Sequence, residues 1–484
     1  MDKSLAEKHK KYVDFYSTQG PDDEYWGLGI ENESYLMFDA LESVDKAFFL
    51  KLQEPERYSV NYWKNYRGVE LQNTLKRLPS AVKVPTYVNS YLFRHADLLG
   101  EHATVKGSRT KENPMYSGQT IDEYVRRVSP AFSRFFEKNL IYDGDTFEFT
   151  TFNFYKTTVP EVINELLTIK KMILKELNSR LVSKFTIFKG PMIFPKLNYG
   201  FAKFQTNLEN VAICNNGTYH INLTLPTRLV KGEIASPEEF KARHANAIRA
   251  IQWIEPLLVG LYGTPDILHI LNPSYAGGSQ RLAMSRYIGL GTYDTLTMEK
   301  GKLLDTFAYK KYTKDNYFTN LHVKSPYNPP QTIGYDVNYN KFKKHGIELR
   351  IFDYFPEEYL ESVMNLLVLV CEKSVQIEIP DPKDNASWVQ LCMQAVKQGS
   401  CAGVKHEFYT ELYRVFSIPE DKWIFYRYLK MKAPMLYVAN RLASHMYKSR
   451  GEVSNKLSPD MKPVVMVDYN SKVKREFRGL LSCW

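Results

Sequence analysis

Residues 27–38 read GLGIENESYLMF. Two glycines lead into Ile30, Glu31, Asn32 and Glu33, and Tyr35, Leu36, Met37 and Phe38 follow. The apolar flanks predict a buried strand. Side chains alternate along a strand, so Glu31 and Glu33 share one face while Ile30 and Asn32 point the other way. Two adjacent carboxylates repel, and burying them without a counter-charge costs on the order of several kcal/mol. A divalent cation removes that conflict, because hard cations prefer carboxylate oxygens. Exposed sheet edges carry such pairs too, so the stretch needs company before it means a metal site.

Three further segments supply it. In NGTYHINLTLPT (216–227), Tyr219, Ile221, Leu223 and Leu225 form one face, with Thr218, His220, Asn222 and Thr224 on the other. In GIELRIFDYF (346–355), Ile347, Leu349 and Ile351 alternate with Glu348 and Arg350. In GDTFEFTTFNFY (144–155), Phe147 and Phe149 oppose Glu148 and Thr150. An antiparallel sheet with one face on the core and one in water has this pattern anyway. Composition argues for more. An ordinary wet face is mostly Lys, Thr, Ser and Gln, whereas these four offer Glu31, Glu33, Glu148, Glu348, His220 and Arg350. Four carboxylates and a histidine suit a site for roughly two or three Mg²⁺ or Mn²⁺ ions. Such ions bridge phosphates and stabilise phosphoryl transfer, and an arginine neutralises phosphate charge. Zinc fits less well, since neither a thiolate cluster nor paired histidines occur.

The whole chain sets the frame. Its 484 residues exceed one small core, and 44% apolar with 24% charged residues is ordinary for a globular protein. The net charge of +10 favours acidic partners such as nucleotides, phosphates or nucleic acid, although a generic basic surface gives the same number. Cys214, Cys371, Cys392, Cys401 and Cys483 form no metal spacing and predict free thiols in a reducing compartment. The first residues are charged and helical, without the apolar core of a signal peptide. Runs such as NLLVLVC (365–371) are too short to span a bilayer. These signs predict a cytoplasmic protein without a membrane partner, meaning host cytoplasm or virion if the chain is viral. Without a secretory signal, the sequons at Asn32, Asn216, Asn222 and Asn385 read as chance.

Alternating strand-like and helix-like blocks predict one large α+β body. Helices are expected over 236–263, with Ser236, Pro237 and Glu239 as a capping box, over 158–177 and over 356–374. The apolar stripes of all three are core. Residues 40–135, rich in Tyr, Lys and Arg and containing the polar loop KGSRTKENPMYSGQT (106–120), read as an insertion or lid. Residues 1–450 form the catalytic domain in this reading, and 451–484 a basic tail, either a solvated extension or a contact arm for an acidic partner.

The order GIENE, FEFTT, GTYHINLTLP, IELRIFDY over about residues 27–355 resembles the carboxylate-amine ligases of the glutamine synthetase and glutamate–cysteine ligase superfamily. HANAIRAIQWIEPLLVGLYGTPDIL resembles the long helix and turn that follow the histidine strand in glutamate–cysteine ligase-like proteins. The resemblance implies a curved, half-open antiparallel cup flanked by helices. It implies ATP and Mg²⁺ (or Mn²⁺), with the γ-phosphate passing to a substrate carboxylate and an amine then displacing phosphate from the acyl phosphate. Small carboxylate and amine substrates are implied, or a peptide or protein tail admitted by the insertion. Carried onto this chain, Glu31 and Glu33 are ligands of two different ions and Glu148 shares one. His220 and Glu348 hold the ion near the ATP phosphates, with Asn222 beside them on the nucleotide side. Arg350 contacts the phosphate or transition-state charge; Arg281 and Arg286, with Tyr287, fall where the family has an arginine segment gripping substrate or phosphate. The remaining acidic ligand is open among Asp143, Asp145 and Glu70. The Tyr-, Asn- and Lys-rich usage is compatible with an AT-rich genome, as in many large DNA viruses and some bacteria.

Two other readings stand beside the ligase. One is a kinase-like phosphotransferase on the same sheet. The other is a non-catalytic scaffold whose basic surface binds nucleic acid or an acidic protein. His244, His269, His322 and His345 have no partner pattern and read as structural or surface residues.

Overall fold

The computed structural model describes residues 24–50, 73–95, 120–136, 138–151, 156, 158–185, 187–213, 217–230, 233–284, 291–302, 337–339, 346–419, 431–450 and 461–481. The chain is α+β with two open sheets. In chain order the strands are β1 (Tyr25–Ser34), β2 (Leu36–Asp45), β3 (Ala81–Val88), β4 (Leu140–Asp143), β5 (Thr146–Thr150), β6 (Met192–Ile193), β7 (Phe201–Phe204), β8 (Asn207–Ile213) and β9 (Thr218–Thr227). Two short hairpins follow, β10 (Leu229–Val230) with β11 (Glu233–Ile234) and β12 (Gly291–Asp294) with β13 (Glu299–Lys302), then β14 (Val337–Tyr339) and β15 (Ile347–Asp353).

The main sheet has the order β14-β15-β9-β1-β5-β4 and is antiparallel throughout. The second has the order β6-β2-β3-β7-β8, antiparallel apart from the β3–β7 pair. GLGIENESYLMF is therefore two strands, not one. It leaves the main sheet at Ser34 and enters the second at Leu36, with Tyr35 at the junction. Tyr35 stacks on Tyr87 at 5.2 Å and its hydroxyl donates to Asp145 at 3.0 Å, which fixes the crossing.

Helices cover one face of the main sheet. Helix α1 (Val159–Leu181) packs on β1 and β5 through Val162, Leu166, Ile169, Ile173 and Leu177, all buried as their spacing predicts. Helix α2 (Pro237–Tyr262) packs on β9 and β15, and α3 (Leu360–Gln376) packs on both α1 and α2. Leu28, Ile30, Ile221, Leu223, Leu349, Phe147 and Phe149 share this core. The expected capping box on α2 is not formed. Ser236 makes no side-chain cap bond, and the Glu239 carboxylate faces Arg243 at 3.9 Å instead. A capping box does occur at Thr120 and Glu123, where the stretch read as a polar loop ends.

Two sequence boundaries need correction. The described parts of 40–135 are built into the body: β3 lies inside the second sheet, and Val82, Val84, Leu92, Phe93, Ile121 and Phe132 belong to the main core. Within the expected tail, residues 469–481 form helix α4 (Tyr469–Leu481), whose Tyr469, Val473, Phe477 and Leu481 are buried at four-residue spacing. Its charged residues hid that stripe in the sequence. Residues 1–23, 96–119 and 451–460 lie outside the described set, as do Cys214 and Cys483; Cys371 and Cys392 are buried thiols and Cys401 is exposed.

Candidate metal and phosphate site

The site begins with register. Glu31 lies opposite His220 on β9 and Thr150 on β5, and Glu33 lies opposite Glu148. Asn222 lies opposite Glu348 on one side and Gly29 on the other. One face of four adjacent strands thus carries Glu31, Glu33, Glu148, His220, Asn222 and Glu348. Directly opposed side chains sit about 5 Å apart at Cβ, close enough for their polar ends to meet. Gly217 makes the tight entry to β9: its φ is +81°, and a Cβ there would lie 2.1 Å from the Glu33 carbonyl oxygen.

His220 is the centre. Its Nδ1 is 2.9 Å from Glu31 Oε2 and 3.8 Å from Glu348 Oε1, and its Nε2 is 3.5 Å from Glu33 Oε1. One ligand atom each from Glu31, His220 and Glu348 lies within 4.8 Å of the others, and all three residues are buried. The Glu348 oxygens also face protein donors. Arg350 reaches Oε1 at 2.8 Å and the Asn338 amide donates to Oε2 at 2.7 Å. Burial pushes the Glu33 carboxyl up to about 7, the positive charges of Arg281 and Arg350 oppose the rise, and Asp143 and Glu31 add to it. Clustered carboxylates around one imidazole are a donor set for a hard divalent cation.

The sequence-derived residues divide clearly. Glu31, Glu33, His220, Glu348 and Arg350 meet, and Glu148 and Asn222 share their face by register. Arg281 joins them: its Nε donates to the Arg350 carbonyl at 3.2 Å and its charge acts on Glu33. Of the open acidic candidates, Asp143 is close enough to act on Glu33, whereas Asp145 accepts from the Tyr35 hydroxyl. Glu70, Arg286, Tyr287, His322 and His345 lie outside the described residues. His244 is structural, accepting from the Leu225 amide at 3.1 Å with its other nitrogen 2.7 Å from the Phe240 carbonyl; His269 bonds the Tyr275 carbonyl.

Three residues escaped the sequence reading. Asn338 supports Glu348, as above. Asp353, buried, accepts from Ser279 Oγ at 2.6 Å and from the amides of Thr264 and Arg281 at 3.1 Å each. Burial pushes its carboxyl up to about 6 against those bonds and the Arg281 charge. Lys170 is buried behind β1, where its ammonium donates to Asn32 Oδ1 at 2.6 Å, pairs with Glu357 and lies 4.2 Å from the Phe194 ring centre. Desolvation lowers the Lys170 pKa, and Glu357 opposes the shift. A cavity of about 360 Å³ lies elsewhere, at the Thr227 end of β9 between Glu24, Arg228, Ser236 and Arg243.

No family model matches the chain. An uncharacterized protein of Acanthamoeba polyphaga mimivirus is 41% identical over 384 residues, which cover 78% of this chain and 66% of that protein. Among the described residues, no helix is long and apolar enough to cross a membrane.

Proposed function

We propose that the chain is an ATP- and Mg²⁺-dependent ligase that phosphorylates a carboxylate and joins it to an amine as an amide. The observation that carries this reading is the convergence of Glu31, Glu33, His220, Glu348, Arg350 and Arg281 on one face of an open antiparallel sheet. In the sequence these groups fall in the strand order of the glutamine synthetase and glutamate–cysteine ligase superfamily, and a half-open cup of that type is the finer fold we propose. The donor set fits the metal. Glu31, His220 and Glu348 would hold one ion, and Glu33, with Glu148 and Asp143, would serve a second. Bound there, Mg²⁺ would supply charge neutralisation for the triphosphate.

The protein's own groups do the rest. Arg350 and Arg281 offer two guanidinium groups to transferring phosphate oxygens, where preorganised positive charge lowers the barrier. Beyond Glu31 the same face of β1 carries only Gly29 and Gly27, beside Asn222 and Thr224. The attacking amine and the carboxylate would meet above the Glu33 end.

The test is ADP release with Mg²⁺ and a panel of amino acids, comparing wild type with Glu31→Gln and His220→Ala. Equal turnover in all three would sink the proposal. A phosphorylated product without amide would identify a phosphotransferase. Salt-sensitive binding of nucleic acid with no ATP turnover would identify a scaffold.

A further inference from the structure

The segment that brings Arg281 to the site is held from two sides. Gly277 and Gly278 donate their amides to the carbonyls of Lys397 and Val396, at 2.6 and 3.0 Å. A Cβ on Gly278 would lie 1.8 Å from the Ala395 carbonyl oxygen, so that approach requires glycine. From α4, the Asn470 amide donates to the carbonyls of Gly263, Gly277 and Gly278 at 2.9, 3.1 and 3.1 Å. From the sheet, Asp353 takes the Thr264 amide, the Ser279 hydroxyl and the Arg281 amide. Asp353 lies opposite Thr218, which is itself opposite Glu33, so it occupies the polar face at the Glu33 end.

We infer that Asp353 is a positioning residue: it fixes the Ser279–Arg281 turn, the start of the short helix Gln280–Met284, so that the Arg281 guanidinium is held on the Arg350 carbonyl at the Glu33 end of the polar face. The physical case is one of cost. A buried carboxylate is expensive, and the Ser279 hydroxyl and Arg281 amide, the Thr264 amide just beyond α2 and the Arg281 charge all oppose that cost. An asparagine has one acceptor oxygen for those donors, so the turn would lose at least one tether. Asn470 braces the far end, which gives the C-terminal helix a stake in the site.

The experiment uses the full chain as wild type, Asp353→Asn, Arg281→Ala and the double variant. Hydrogen exchange and phenylglyoxal labelling of Arg281, read by mass spectrometry, require no ligand. Asp353→Asn is expected to raise exchange at the Thr264 and Arg281 amides at least tenfold, leave β9 unchanged, and expose Arg281 to the reagent. Unchanged exchange and labelling, or faster exchange throughout β9 and α2, would overturn the inference. Affinity for Mg²⁺ with a non-hydrolysable ATP analogue rests on the ligase reading. Asp353→Asn should weaken it about tenfold alone and not further beside Arg281→Ala; an equal loss in both backgrounds would also overturn the inference. If wild type binds no analogue, the ligase reading fails, while exchange and labelling still decide the role of Asp353.

Discussion

The two faces of β1 solve the same electrostatic problem in opposite ways. Behind the strand, Asn32 is enclosed, and its polar atoms are matched by protein. Its amide donates to the Thr218 carbonyl at 3.1 Å and its oxygen accepts from Lys170, which is paired in turn with Glu357. In front, Glu31 and Glu33 face each other's charge, Glu348 and one histidine. Arg350 and Arg281 offset part of that charge, yet burial still pushes Glu33 up to about 7. The rear face is built for stability, and the front keeps a surplus of carboxylate that suits a cation. Substitutions should therefore separate the faces by what they damage.

The largest effect belongs to the front. On the ligase proposal, Glu33→Gln should reduce ATP turnover by roughly 10³-fold, the scale of removing one preorganised electrostatic group. Without metal, its urea midpoint should stay near wild type or rise, because one member of a repelling set has gone. A large fall in metal-free stability would make Glu33 a structural residue and erase the contrast.

Behind the strand the expectation reverses. Ile30→Ala removes a fully buried side chain between β1 and the helices and should cost about 2–5 kcal/mol in urea unfolding. Lys170→Met should cost less, about 1–3 kcal/mol, by leaving Glu357 and Asn32 without their buried donor. A double-mutant cycle of Lys170→Met with Asn32→Leu should show coupling of about 0.5–3 kcal/mol. Zero coupling would mean that the Lys170–Asn32 bond does not tie α1 to the sheet.

Much of this contrast could be read from period-two alternation. The four strands, their greasy and polar sides, and Glu31, Glu33, Glu148, His220, Glu348 and Arg350 follow from it. Strand neighbours did not: that Glu31 meets His220 is a matter of long-range register, which no local pattern encodes. Asp353 was hidden for a different reason. Simple alternation from Glu348 puts Phe352 on the polar face and Asp353 on the greasy one. Between Leu349 and Phe352 the pairing shifts, so Phe352 lies opposite Tyr219 and Asp353 opposite Thr218. A bulge of one residue reverses the faces, and IELRIFD gives no glycine or proline to announce it. Lys170 was missed because a lysine within an apolar helix stripe reads as solvent-facing until its partners Asn32 and Glu357 are seen, 138 residues away in the first case. The second sheet was missed because β2 begins inside the stretch read as one strand and then runs, with β3, into the Tyr-, Lys- and Arg-rich residues 40–135 read as an insertion.

The pH dependence of cation binding is the most direct test of the front face. In the metal-free protein, Glu33 has a folded pKa of about 7 against an ordinary 4.5, so the folded state keeps a proton that the unfolded chain gives up between those values. Its contribution to stability therefore falls as pH rises from about 4.5 to about 7. A divalent cation must displace that proton. Added Mg²⁺ should stabilise the protein little at pH 6 and more at pH 8, approaching about 2.7 kcal/mol at a hundredfold excess over Kd. Glu33→Gln should flatten the pH dependence of the shift. A thermal shift that is equal at both pH values, or that persists unchanged in Glu33→Gln, would place the cation away from Glu33; no shift under any condition would leave the front face a buried polar cluster that binds no cation.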